Sequence, residues 1–444
     1  VVCMPLFDHF FGTTPKQQEI RFGRFSDIYR LPGKERYKAQ AFTAFENQQP
    51  LECIFHLLEY LRNPDGDNIK IEKSPGLLSF EIVQGSSLIC GIAGTHSLRV
   101  YSVVVQEEFV SEDLFRDVLE RNGALWYSRY ALDVQGNLIL LFEIPLIDAS
   151  PVQVLNALQE VARESDKIDD LLHEVLRIPM PRNVSVCQSF SEQHAEAGYE
   201  FIKSLISKAF EIIRKSPDLC KTFPKGCACV LLGAAYKIDY LVHPEGLSME
   251  VFERMNRLVF TPGREQEAMI EKVEMLVHEL ETLDSRDKTA IQSELYRSSW
   301  TFGLTKPVSS EYLKQAILQE LPQAKWYAGN GFPEIGMEIL DYIAGYCLFN
   351  FAPPPAHREL LHLYFELTQP EFFRQLGYSH QWVDTKTGRY NERAIKKCIR
   401  RFAQQWPCQG LQLDGLSFDN PFAIAATFLE MTAHTQSDSI GMYE

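Results

Sequence analysis

The stretch that decides the fold of the first half of the chain opens with residues 98–105, which read LRVYSVVV. β-Branched and aromatic residues dominate this run, and they favour a strand. Residues 111–121 follow with apolar side chains at helical spacing and with acidic residues in the first turn, where the helix dipole favours negative charge. Asn122-Gly123 ends this predicted helix. The pattern therefore predicts a strand followed by a helix.

The same alternation continues downstream. Residues 126–132 and 138–144 predict two strands, joined by a turn around Gly136. Ser150-Pro151 is a typical helix start, because proline is tolerated at the first helical position. An amphipathic helix is predicted from there to residue 174. Its predicted outer face carries five acidic residues, Glu160, Glu164, Asp166, Asp169 and Asp170.

Upstream residues complete an α/β domain. Apolar side chains at helical spacing predict a helix near 50–62, and short β-rich runs predict three strands at 69–72, 77–83 and 87–92. The resulting order is helix, three or four strands, helix, two strands, helix. We expect residues 49–176 to form one antiparallel sheet with flanking helices, in an α+β fold.

Two short segments carry a resemblance to a known family. They are residues 117–122 (DVLERN) and residues 130–133 (YALD), the second followed by Gly136 and an apolar strand. With the element order, they resemble the type III secretion chaperone-like fold, a group that includes the YbjN-type proteins. The resemblance covers about residues 49–176. It implies a domain that binds extended segments of client proteins and that can form a homodimer, and it implies no catalytic residue.

The remainder of the chain predicts a different organisation. Residues 178–183 (IPMPRN) contain two prolines that block helix continuation, so they mark a domain boundary. Beyond them helical patterns dominate, and no repeat recurs at fixed spacing. We therefore predict an N-terminal arm at 1–48, a chaperone-like α/β domain at 49–177 and a mainly helical domain at 178–444.

Charge is concentrated in the predicted α/β domain. The whole chain carries a net charge of −15. Residues 49–176 hold 9 Lys and Arg and 21 Asp and Glu, which gives −12 for this part alone. Nucleic-acid binding requires a basic surface, so this charge argues against it. An acidic surface instead suits solubility or a basic protein partner.

Apolar runs and cysteines bear on location. Apolar runs are shorter than the roughly 20 residues of a membrane helix, and no charged-then-apolar leader is visible. We therefore expect a cytoplasmic protein that does not insert into membranes. The chain has 10 cysteines and no C-x-x-C pair, which favours reduced thiols.

No motif indicates a cofactor or a catalytic centre. Cys220, Cys227 and Cys229 are closely spaced, but zinc usually takes four ligands in closer pairs, so buried structural cysteines are favoured over a metal or redox site. His278-Glu279 lacks the second histidine of a zinc-protease motif. Residues 329–331 (GNG) lack the lysine of a phosphate loop and favour a turn before a helix.

A second group of polar residues lies near the end of the chain. It comprises His357, His362, His380, Trp382, Asp384 and Arg389. Ordinary buried or surface histidines are favoured, although an enzyme site here or at the domain interface remains the alternative. A turn or small hairpin is predicted around Gly388.

The sequence thus favours a non-enzymatic, protein-binding adaptor or chaperone-like protein without a cofactor. The candidate binding residues are Glu160, Glu164, Asp169 and Asp170. The alternatives are an enzyme and a stand-alone partner of a toxin.

Overall fold

A computed structural model describes ten ranges of the chain, which are 22–25, 33–63, 68–110, 112–176, 187–216, 218–260, 268–303, 305–378, 382–384 and 387–437. Side chains at 112, 113, 117 and 169–176 are not among the described parts. The chain divides into two compact units. Of the described residues, the first unit contains those between 24 and 189 and those at 296–303. The second contains Phe22, Gly23 and the described residues from 190 to 295 and from 305 to 437.

The first unit is built on one sheet. Its strands are β1 (Ile69–Ser74), β2 (Leu77–Gln84), β3 (Ser87–Ala93), β4 (Ser97–Val105), β5 (Arg129–Leu132) and β6 (Leu138–Pro145). Its helices are α1 (Glu35–Glu46), α2 (Pro50–Leu61), α3 (Glu112–Asn122) and α4 (Pro151–Leu176), with short 3-10 turns at Glu107–Phe109 and Leu146–Asp148. The strand order is β1-β2-β3-β4-β6-β5, and every neighbouring pair is antiparallel. The predicted α+β fold and antiparallel sheet are confirmed.

Helices α2 and α4 cover one face of this sheet. Alternation along β4 explains why, since Leu98 and Val100 are fully buried whereas Arg99 between them is exposed. Burying a side chain such as Leu98 stabilises the fold by about 1.5–3 kcal/mol. The Phe80 ring lies against Gly91 of β3, where an added Cβ would come within 2.0 Å of the ring. A glycine is therefore required at this position of the core.

Helix α1 falls within residues 1–48, which the sequence analysis assigned to an arm. Ala41 and Ala44 are buried on one side of it, and α1 packs on α2 and α4. Small residues three apart gave little hydrophobic contrast in the sequence, so periodicity did not reveal this helix.

A short distant segment completes the first unit. Residues 296–303 include β8 (Tyr296–Arg297), which pairs with β7 (Gln188–Ser189). The Gln84 side chain donates to the Phe302 carbonyl at 3.0 Å and accepts from the Phe302 amide at 2.9 Å. Phe302 joins the core cluster of the sheet. The sequence prediction, with its boundary between residues 177 and 178, had assigned this segment to the helical domain.

The second unit is mainly helical. Its described helices are α5 (Glu192–Ile213), α6 (Leu219–Thr222), α7 (Pro224–Val242), α8 (Gly246–Phe260), α9 (Met269–Asp284), α10 (Lys288–Ser293), α11 (Ser310–Gly329), α12 (Pro333–Asn350), α13 (Pro355–Thr368), α14 (Pro370–Gln375), α15 (Glu392–Gln405) and α16 (Pro421–His434). A 3-10 turn lies at Leu413–Gly415. The short strand pairs are β9 (Lys306–Pro307) with β10 (Phe351–Ala352), β11 (Val383–Asp384) with β12 (Arg389–Tyr390), and β13 (Cys408–Gln409) with β14 (Gln436–Ser437).

Helix starts in this unit follow the sequence signals. Asn391 and Asn420 each accept a hydrogen bond from a backbone amide three residues on, as N-cap residues do. The predicted hairpin around Gly388 is present as β11 and β12. Gly329 ends α11, and residues 330–332 connect it to α12 with Gly331 at φ +89°, so the predicted turn before a helix is confirmed.

Candidate functional site: an exposed aromatic surface on the first unit

The loop between α3 and β5 presents a tryptophan to solvent. Trp126 is 89% exposed. The backbone of this loop is fixed by a single carboxylate, Glu160 of α4. Its Oε2 accepts from the Trp126 amide at 2.9 Å, and its Oε1 accepts from the amides of Tyr127 at 2.9 Å and Ser128 at 2.7 Å. The Ser128 hydroxyl also donates to Oε1, at 2.7 Å. Trp126 is therefore displayed on a loop with a defined backbone.

One face of α4 supports the loop. Val152, Asn156 and Glu160 are spaced four apart and lie on the same side of the helix. The Asn156 amide donates to the Tyr127 hydroxyl at 3.3 Å. Partial burial acts to raise the pKa of Glu160, but the hydrogen bonds from the loop outweigh it and lower that pKa. Glu160 thus stays ionised where it is needed as an acceptor.

The neighbouring sheet edge is also closed by a side chain. Among the residues that the structure describes, β5 is the last strand of the sheet and pairs with β6 alone. Asn122, at the end of α3, accepts from the Tyr130 amide at 2.7 Å, and its own amide group lies 3.5 Å from the Tyr130 carbonyl oxygen. Together with Glu160 at Ser128, Asn122 occupies backbone groups that an added strand would use.

Other apolar side chains of α3, this loop, β5 and α4 are exposed as well. Their exposed fractions are 68% for Leu119, 37% for Tyr127, 51% for Leu132 and 55% for Val152. We call these four residues and Trp126 the Trp126 surface. Single exposed apolar residues are normal in proteins, but five on α3, the loop, β5 and α4 make this part of the first unit a candidate binding surface.

The five acidic residues that the sequence placed on the outer face of α4 have different surroundings in the structure. Glu160 and Glu164 are half-buried, and Glu160 is engaged by the loop. Asp166, predicted on the outer face, is instead buried and accepts from the Ser86 amide at 3.1 Å, so that expectation was wrong. The side chains of Asp169 and Asp170 lie outside the described residues. Helical spacing identified the acidic residues of α4, but it could not show which carboxylates accept hydrogen bonds from the amides of neighbouring loops.

The second unit contains a buried charged cluster that the sequence analysis missed. Lys237 of α7 is completely buried, and its ammonium lies 2.7 Å from Glu338 Oε2 and 2.8 Å from Asp341 Oδ2. Tyr364 donates to Asp341 Oδ1 at 2.8 Å, and Lys208 lies 2.8 Å from Glu338 Oε1. Glu338 and Asp341, which follow the first turn of the largely apolar helix α12, were the available signal.

Burial and neighbouring charges have opposing effects on the pKa values of this cluster. Burial acts to lower the pKa of Lys237, but the two carboxylates outweigh it and raise that pKa. Burial acts to raise the pKa of Glu338, whereas Lys237 and Lys208 lower it to about 2. For Asp341 burial prevails, and its pKa is raised. Its charges are paired and Lys237 is inaccessible, so the cluster joins α7, α12 and α13.

The histidines of the second unit lie in separate surroundings. His357 is fully buried and its Nε2 lies 2.9 Å from the Thr435 carbonyl oxygen, while burial lowers its pKa to about 4. His362 Nδ1 lies 3.0 Å from the Tyr240 hydroxyl, and Trp382 donates to Glu366 beside it.

The other polar residues that the sequence singled out near the end of the chain lie in the β11–β12 hairpin or outside the described residues. Asp384 accepts in the β11–β12 turn, Arg389 lies in that hairpin, and His380 lies outside the described residues.

The remaining motifs do not assemble a metal site. Cys220 lies on α6, whereas Cys227 and Cys229 lie in the first two turns of α7. Glu279 is paired with Arg254 at 3.1 Å. Within the described ranges, no three histidine, cysteine or acidic side chains are arranged to hold a metal ion.

Comparison with known proteins adds no assignment. No protein-family model matches the chain, and no curated protein matches it either. In the part of the chain that the structure describes, no helix is both long enough and apolar enough to cross a membrane.

Proposed function

We propose that this protein is a non-enzymatic adaptor that binds a protein segment at the Trp126 surface. The observation that carries the proposal is the 89% exposure of Trp126 on a backbone that Glu160 fixes through three amides and one hydroxyl. Tryptophan and tyrosine are enriched among residues that dominate binding energy. A pre-organised loop lowers the ordering cost of binding, so this surface suits recognition.

The partner that fits this surface is a segment with apolar side chains beside Lys or Arg. Apolar contacts would cover Trp126 and its neighbours. The unit around them is acidic, with exposed carboxylates at Glu120 and Asp148 and a net charge of −12 over residues 49–176. Opposite charge would steer a basic segment to the surface and increase its association rate. The resemblance to secretion chaperones, which bind extended client segments, agrees with this proposal.

The closed β5 edge defines how the segment would bind. Asn122 and Glu160 already occupy backbone groups of Tyr130 and Ser128. A partner would therefore contact side chains of the Trp126 surface rather than extend the sheet at β5. A homodimer through continuous β5 pairing is disfavoured for the same reason.

The alternative is an enzyme with a site in the helical unit. Its strongest polar group, the cluster around Lys237, is closed and paired. The His362–Tyr240 pair is buried as well. These arrangements support a structural role, so the adaptor is the better supported function.

A displayed peptide library tests the proposal with a defined probe. We expect the immobilised protein to enrich peptides that combine aromatic or aliphatic residues with Lys or Arg, and we expect Trp126→Ala to lose at least tenfold in affinity for them. Raising the salt concentration should weaken binding, because exposed charges are screened. Trp326→Ala is the matched control, since Trp326 is a 49% exposed tryptophan of the second unit.

Two results would contradict the adaptor function at this surface. One is that the wild type enriches no peptide family over the bare support. The other is that Trp126→Ala and the wild type enrich the same peptides with equal affinity.

A further inference from the structure

We propose that helix α15 docks an acidic segment of a partner protein through Arg393, Lys397 and Arg400, three side chains that we call the cationic stripe. These residues belong to the second unit. Carboxylates of the partner would contact the two guanidinium groups and the ammonium group. The inference is independent of the Trp126 surface, for which a basic segment is the proposed partner.

The charge around α15 is opposite to that of the chain as a whole. Residues 387–405 contain six Lys and Arg and one Glu, which gives +5 for this segment. The whole chain carries a net charge of −15. A local reversal of this kind attracts anionic groups to one part of a surface and repels cationic ones. Helix α15 is therefore suited to an acidic partner.

The amphipathic pattern of α15 directs the cationic stripe to solvent. Ile395, Ile399 and Phe402 are buried, and α15 packs on α13. The members of the cationic stripe follow one another at intervals of four and three residues, which places them on one side of the helix. All three are exposed. Helix geometry spaces them about 6 Å and about 4.5 Å apart along the axis. They form a straight row of positive charge.

The cationic stripe lacks a counter-charge within the described parts of the chain. Lys396 of the same helix shows the contrast. Its ammonium lies 4.0 Å from a carboxylate oxygen of Glu392 and 5.4 Å from the centre of the Phe418 ring. A carboxylate from another protein can therefore bind the cationic stripe without breaking an ion pair that the described residues make.

The chemistry of the cationic stripe favours a protein segment over nucleic acid. A guanidinium can bind a carboxylate through two parallel hydrogen bonds, and the stripe contains two guanidinium groups. Single-stranded nucleic acid is usually held by stacking on aromatic rings as well, and none of the exposed residues of α15 is aromatic. The net charge of −15 would also repel a long polyanion, whereas a short acidic segment needs only the row itself.

The test measures binding of a fluorescently labelled decaglutamate peptide to the full-length protein by fluorescence anisotropy. We expect saturable binding at low ionic strength that weakens as salt is added, because exposed ion pairs are screened. The triple variant Arg393→Gln/Lys397→Gln/Arg400→Gln should bind about tenfold more weakly or worse, since three ion pairs are lost together. Glutamine is a good helix former, and circular dichroism verifies that the variant is folded.

A second triple variant separates the position of the charges from their number. Lys215, Lys221 and Lys225 are exposed lysines of the second unit that are each paired with a carboxylate. Changing all three to Gln alters the net charge by the same amount, and this control should bind decaglutamate as the wild type does. The proposal is overturned if the wild type shows no saturable binding, or if both triple variants lose affinity equally. Tighter binding of the wild type to an oligothymidylate of equal charge would overturn it as well, in favour of nucleic acid.

Discussion

Glu160 Oε1 lies 2.7 Å from the Ser128 amide nitrogen, and this contact joins α4 to the first residue before the edge strand β5. The same carboxylate holds the two preceding amides. One side chain thus orders the loop that exposes Trp126 and also closes part of the sheet edge. Each role leads to a separate measurement.

Reversing the charge at Glu160 should destabilise the loop. In Glu160→Lys, three amides lose their acceptor, and hydrogen bonds to charged groups contribute about 1.5–3 kcal/mol each. Water can replace part of these hydrogen bonds. We therefore expect the free energy of opening that protects the amides of residues 126–128 from exchange to fall by about 3 kcal/mol. Hydrogen exchange should then be faster by about two orders of magnitude. Glu164→Lys, one turn further on α4, is the control and should leave exchange unchanged.

Removing Asn122 should open the β5 edge. Asn122→Ala leaves the Tyr130 amide and carbonyl groups without their side-chain partner. Exposed edge strands pair with other strands, so we expect increased self-association, measured by sedimentation velocity over a concentration series. Asn156→Ala is the control, because it removes a hydrogen bond to the Tyr127 hydroxyl but none to the β5 backbone. Its self-association should equal that of the wild type. Equal association of both variants would show that Asn122 does not protect this edge.

Removing Lys237 should strongly destabilise the second unit. Lys237→Met leaves Glu338 and Asp341 buried without their shared cation, and breaking a buried ion pair typically costs about 3–5 kcal/mol. Urea unfolding followed by the helical circular-dichroism signal measures this change. Glu338 keeps its contact with Lys208 in this variant, whereas Asp341 loses its ion pair. Adding Asp341→Asn removes that unpaired charge, so the double variant should be more stable than Lys237→Met alone. A double variant that is less stable would contradict this account.

His357 should make the second unit sensitive to acid. Burial lowers its pKa from 6.5 to about 4, so between these values the unfolded chain binds a proton that the folded protein does not. Stability contributed by His357 is therefore present above pH 6.5 and is lost as the pH falls toward 4. His357→Gln keeps a side-chain donor near Thr435 but does not titrate. Its urea midpoint should fall less than that of the wild type over this pH range, and parallel curves would refute the assignment.

Local patterns predicted the sheet well because its signals are local. Alternation in residues 98–105 and the Ser150-Pro151 helix start each depend on neighbours in sequence. The function of Glu160 depends instead on a loop more than thirty residues earlier in the chain, and spacing on α4 cannot reveal that contact. Exposed and buried acidic residues looked alike, which is why Asp166 was placed on the wrong side.

The candidate site was only partly predictable for the same reason. Trp126 was assigned to a strand, because an aromatic residue before Tyr130 fits β-propensity. Its amide bonds to Glu160, and the strand begins only at Arg129. The buried partners of Lys237 lie about a hundred residues away, beyond the reach of any periodic pattern.

The return of residues 296–303 to the first unit has a consequence for synthesis. Gln84 bonds with Phe302, whose side chain lies in the core of the sheet. During translation, the ribosome makes α5 to α10 after β6 and before Phe302. The amino-terminal sheet therefore emerges well before its last core residue. A nascent chain halted before Tyr296 would carry the strands without this residue, so the first unit reaches its final packing only after more than a hundred further residues have been added.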